Sequence, residues 1–172
     1  SYAYRGQNVI YSAGYAVGAS VDYGTDDYGL GFWIGDSANG DVSLEFFGQY
    51  TGVDGLTFTA VYADDPGYKS LNFWTSYEYQ AFTFAAEYVD NDYEDGADDN
   101  GYLFLVNYAF TDSAAATLRY SEEEEDDLSD FSMITVSPSY VFSDNVAGLV
   151  EVSFIDEATD YTAFAVELIY TF

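Results

Sequence analysis

Residues Tyr161 to Phe172 alternate between two chemical faces with hardly a fault. Thr162, Phe164, Val166, Leu168, Tyr170 and Phe172 are mostly large and apolar, whereas Tyr161, Ala163, Ala165, Glu167, Ile169 and Thr171 are mostly small or polar. A period of two means an extended strand whose sides meet different surroundings. Segments of this kind recur along the whole chain, separated by turn residues alone. Read in order they give eleven strands, roughly 9–23, 28–35, 42–50, 56–63, 69–79, 81–89, 101–110, 114–121, 131–142, 146–155 and 161–172, with no helix between them.

The connections alternate in character. One set is short: Gly24 to Asp27, Thr51 to Gly55, a turn near Gln80, Thr111 to Ser113, and Ser143 to Asn145. The other is acidic and often longer: Asp36 to Asp41, Asp64 to Gly67, Asp90 to Asn100, Glu122 to Asp130, and Asp156 to Asp160. Short turns on one side and longer loops on the other are the habit of a transmembrane barrel. The chain is therefore expected to be all-β, a transmembrane antiparallel up-and-down β-barrel in one domain, 1–172. Single-chain bacterial barrels have even strand numbers. Either Ser1 to Gln7 supplies a twelfth strand or the eleven belong to a larger barrel, and the absence of a signal peptide suggests a mature, trimmed or partial chain.

Facing supports the same reading. One parity collects Leu30, Phe32 and Ile34, Phe58 and Tyr62, Phe82, Phe84 and Tyr88, Phe104, Val106 and Tyr108, and so on through Val150, Val152 and Phe154. Its only charge is Lys69, at the start of a strand, where a lysine can snorkel to an interface. Pro138 also falls on this parity and suggests a bulge or local bend, since proline cannot donate to a strand ladder. The opposite parity carries small polar residues and a few charges: Asp22, Glu45, Glu78, Glu87, Arg119, Glu151 and Glu167. An apolar outside and a polar inside suit a barrel in lipid around a water-filled lumen. A secreted acidic β-sandwich would bury the apolar face instead.

Composition closes off other functions. The chain has 31 acidic residues against three basic ones, a net charge of −28, so nucleic acid is not an expected partner. It has neither Cys nor His, which removes disulfides, thiolate and imidazole metal sites, and most acid–base and nucleophile arrangements. Carboxylate pairs are too abundant to single out a hydrolytic site, and no enzymatic activity is expected. The near-neutral mean hydropathy of −0.10 does not argue against a membrane, because only alternate residues of a barrel strand face lipid.

The expected function is an acidic pore in the bacterial outer membrane. Asp22, Glu45, Glu78, Glu87, Glu151 and Glu167, with Arg119 as the lone lumen cation, would line it and favour cations among small solutes. The acidic loops could instead bind divalent cations loosely, with Asp90, Asp92 and Glu94 as weak metal candidates; the spacing does not follow an EF-hand. No other cofactor is expected. A structural or adhesive barrel with ion-binding loops is the alternative.

Several segments resemble the C-terminal half of outer-membrane β-barrel porins of the OmpL-like group. They are Ser1 to Tyr4 through Tyr11 to Ala19, Gly55 to Ala60, Phe82 to Tyr88, Ser137 to Tyr140, and Val166 to Phe172. The resemblance implies a general diffusion pore in outer-membrane lipid, with no catalytic residue. Homo-oligomerisation as a trimer follows by family analogy.

Overall fold

The computed structural model describes residues 17–36, 41–96, 98–125 and 131–171. Within them lie eleven strands: β1 (Gly18–Gly24), β2 (Tyr28–Asp36), β3 (Val42–Tyr50), β4 (Leu56–Asp65), β5 (Tyr68–Tyr79), β6 (Phe82–Tyr93), β7 (Asp98–Ala109), β8 (Ala114–Glu125), β9 (Phe131–Ser143), β10 (Val146–Asp156) and β11 (Tyr161–Tyr170). They form one antiparallel sheet in sequence order. Each strand pairs with its chain neighbours, and the sheet is not closed among the described residues. The expected twelfth strand at Ser1 to Gln7 and the start of the first strand lie outside them.

Two expectations need correction. The acid-rich segments are partly strand rather than loop. β6 runs on to Tyr93 and β7 begins at Asp98, leaving only a tight turn, while Glu122 to Glu124 belong to β8. Backbone pairing across a hairpin proceeds whatever the side chains, provided their charges project into water. Pro138 makes no bulge. The β9–β10 pairing is interrupted opposite it, between Leu149↔Ser139 and Val152↔Val136, and resumes in the same register. The register shift lies at Val146/Ala147, beside the hairpin turn.

Among the described residues nothing packs against either side of this sheet, so a difference in crowding tells its two sides apart. Crowding follows residue parity. Ala63, Ser70, Asn72, Ala85, Val89, Thr135, Ser137 and Leu149 are buried, whereas Phe58, Phe84, Phe104, Leu118, Val136 and Phe154 are exposed. The exposed side is a continuous apolar surface bordered by aromatic contacts. Phe82 meets Tyr108 at 4.6 Å, and Tyr108 meets Phe110 at 4.9 Å, near the short turns. Phe32 meets Phe46 at 4.9 Å, and Tyr88 meets Tyr102 at 5.5 Å, toward the acidic end. Gly55 serves the short-turn end by backbone freedom: its φ is +76°, and a Cβ would lie 2.4 Å from the Glu78 carbonyl oxygen.

The apolar surface ends at an oblique border. On the five rising strands the first outward acid comes two residues after an outward hydrophobe: Ile34 then Asp36, Tyr62 then Asp64, Tyr88 then Asp90, Tyr120 then Glu122, and Phe154 then Asp156. Across paired rows from β2 to β8, each acid aligns with the hydrophobe of the preceding rising strand. Asp64 aligns through Leu44 with Ile34, Asp90 through Leu71 with Tyr62, and Glu122 through Tyr102 with Tyr88. From β2 to β8 the border thus drifts one residue per strand; on β10 it does not, since Asp156 aligns through Ser132 with Glu122. At about 3.4 Å per residue and about 4.8 Å between strands, that drift tilts the strands ~35° from the border's normal. Membrane barrels are built with this tilt.

Candidate functional site

The oblique border locates the inner side chains by height. Three residues below each border acid of β2 to β8 stand Trp33, Val61, Glu87 and Arg119. Each has a direct row partner on the next strand: Trp33↔Glu45, Val61↔Asn72, Glu87↔Leu103 and Arg119↔Thr135. The row of Arg119 and Thr135 continues to Ser153; carrying the tilt of β2 to β8 on to β10 selects the next inward position below it, Glu151, paired with Ala165. One level of the inner wall therefore gathers Glu45, Glu87, Arg119 and Glu151. Glu167 lies just below, aligned with Leu149, and Asp22 lies below Trp33, aligned with Gly31. Glu78 is far from this level, close to the Gln80 turn, where it pairs with Thr83.

These charges have different surroundings. Arg119 and Glu151 are buried, at 8% and 4% exposure, and attract each other electrostatically. Arg119 also donates to the Thr135 hydroxyl at 3.4 Å, and Thr135 shares a 2.9 Å bond with Ser153. Glu87 is half-buried and accepts a 2.7 Å bond from the Asn72 amide. Glu45 is half-buried; Asp22, Glu78 and Glu167 are exposed. Lower on the same wall Asn107 donates to Thr117 at 2.8 Å, and Gln49 donates to Thr59 at 3.4 Å. Near the acidic rim Asp99 accepts from Asn91 at 2.5 Å and from Tyr93 at 2.9 Å. Neutral donors thus tie the wall together while most carboxylates keep access to the open side.

The inner parity is less polar than the sequence reading assumed. It also carries Trp33, Phe47, Val61, Trp74, Leu103 and Leu105, all half-buried. Parity alone would have found them; selecting only polar residues hid them. The metal candidates are not brought together. Asp90 and Asp92 lie on the outward parity of β6, aligned with Leu71 and Lys69, while Glu94 sits in the turn. Among the described residues no three carboxylates converge into a metal-holding group.

Solved structures share this architecture. A porin refined at 1.8 Å superposes with a TM-score of 0.72 at 14% identity, over 88% of this chain and 60% of that one. The sheet is the wall of a porin-type β-barrel. The anion-selective porin of Comamonas acidovorans matches with a TM-score of 0.72 at 13% identity, over 89% of this chain and 59% of its own. A loop-deletion mutant of OmpT, an outer membrane protein of Vibrio cholerae, gives 0.68 at 14%, over 88% and 61%. The chain therefore spans about three fifths of the porins it matches. No protein-family model and no curated protein sequence matches it. The porin fold expected from the alternating faces is borne out, and the open sheet fits part of a barrel.

Proposed function

We propose that this chain forms part of the wall of a bacterial outer-membrane channel that passes small solutes and favours cations. The observation that carries this reading is the inner level holding Glu45, Glu87, Arg119 and Glu151, with Glu167 just below. Its one cation, Arg119, is buried and attracted by the Glu151 carboxylate, so the charge left facing the interior is negative. In a confined aqueous passage such a bias concentrates cations and repels anions. The porin fold does not fix the sign, since the Comamonas protein with the same fold is anion-selective. The side chains must set it. In lipid an open sheet edge is not tolerated, so the functional barrel completes the wall beyond the strands described. Assembly into a trimer belongs to the same reading.

Reversal potential across a planar bilayer under a salt gradient tests it. The expected result is a cation-selective potential that shrinks when Glu45, Glu87 and Glu167 are changed together to Gln. An anion-selective potential overturns the proposed sign. Absence of conductance from a demonstrably folded barrel overturns the channel and favours a structural or adhesive role.

A further inference from the structure

The inward parity of β2 reads Gly29, Gly31, Trp33, Gly35: bare backbone around one indole. The neighbouring side chains lean over this floor. The benzo ring of Trp33 fills the space that a Cβ would take at two paired glycines. Such an atom at Gly35 would meet Cζ2 at 2.3 Å, and one at Gly18 would meet it at 2.7 Å. From the β1 side the Asp22 carboxylate reaches over Gly31, with Oδ1 2.8 Å from the same virtual position. From the β3 side the Phe47 ring leans across Gly31 and Gly29, at 3.6 and 3.7 Å. Glu45 is the row partner of Trp33, and Asp22 and Phe47 are both row partners of Gly31.

We propose that Trp33 and Phe47, flanked by Asp22 and Glu45, form a binding site for small organic cations, an alkylammonium group with an apolar body. The chemistry is complementary on each count. Aromatic faces attract an onium centre through their quadrupole while tolerating its alkyl groups, which a hydrated metal ion lacks. Two carboxylates supply the countercharge. The glycines remove the side chains that would lift the Trp33 ring off the backbone, so the ring is held in place before a ligand arrives and less ordering is lost on binding. Neutral solutes gain only the apolar part. The site deepens the channel reading and rests on it for access, because its groups lie on the lumen side.

The test uses the purified full-length protein folded in detergent, in a Trp74→Phe background that leaves Trp33 the only indole of residues 1–172, with its emission taken as the difference from a Trp33→Phe, Trp74→Phe protein. Choline is titrated while Trp33 emission is followed, beside its neutral isostere 3,3-dimethylbutanol and potassium at matched ionic strength. Choline should change the emission saturably, and the two controls should not. Asp22→Asn with Glu45→Gln should weaken the response roughly five-fold or more. A Gly35→Ala variant should weaken it with both carboxylates intact, because its methyl displaces the ring. No saturable response to choline, or an equal response to the alcohol, overturns the site. The channel reading fails separately: bilayers would show no conductance even where choline binding in detergent is intact. Conversely, a cation-selective pore whose Trp33 emission ignores choline keeps the channel and discards the site.

Discussion

Two stretches of the inner wall lie at the same height and use charge in opposite ways. On β8 to β10, Arg119 and Glu151 are buried together, and the Thr135 and Ser153 hydroxyls complete the network. On β1 to β3, Asp22 and Glu45 stay within reach of the open side and stand among glycines and aromatic rings. The first arrangement spends its charges on holding neighbouring strands together. The second holds its charges nearer the open side, with Asp22 accepting from the Ser20 hydroxyl at 3.4 Å. Counting acids therefore overstates what a solute meets, and burial separates wall from lining.

The difference can be broken hardest at the buried pair. Glu151→Leu should cost about 2 kcal/mol in urea refolding, less than the ~3–5 of a fully dry pair because one side opens to water. Adding Arg119→Met should recover most of the loss, since the orphaned guanidinium goes too. If the single change costs nothing, the two regions do not differ as described. Gly35→Leu attacks the other region. Its side chain collides with the Trp33 ring, so a loss of about 1–2 kcal/mol is expected together with altered Trp33 emission in the Trp74→Phe background.

A gentler change sharpens the first region. Thr135→Val keeps the shape but removes the hydroxyl between Arg119 and Ser153, and should cost about 1 kcal/mol in the same refolding assay. Smallest in stability is Glu45→Gln, expected to stay within about 0.5 kcal/mol because the side chain is not fully buried. Its effect belongs to selectivity: the reversal potential should fall toward zero, while Arg119→Met with Glu151→Leu should leave its sign unchanged. A Glu45→Gln protein that is severely destabilised but equally selective would invert the roles assigned to the two regions.

Period-two alternation is a backbone property, and it placed all eleven strands within a few residues along the described chain. The misplaced ends share a cause. Asp90 to Tyr93 and Glu122 to Glu124 look like loop by composition, yet hairpin pairing carries them upward as strand past the point where the outward face turns acidic. Parity also put Glu45, Glu87, Arg119 and Glu151 on one face. It could not align them, because height in a tilted sheet depends on pairing register; Glu78 stands apart because it lies at the end of β5, beside the Gln80 turn. The glycine floor of β2 was visible as Gly29, Gly31 and Gly35 around Trp33. Its meaning needed the lean of Asp22 and Phe47 from both adjacent strands, which no single-strand pattern contains.

Pairing confined to chain neighbours has a kinetic consequence. Every contact between described strands closes over one hairpin, so the entropy of loop closure is met in small instalments as the chain zips. Each new strand inherits its register from the last, and an early slip of two residues would be transmitted to all that follow. The Tyr–acid steps at Tyr62, Tyr88 and Tyr120 oppose such slippage during insertion, because a two-residue shift would drag a carboxylate into hydrocarbon or lift a tyrosine ring out of the interface.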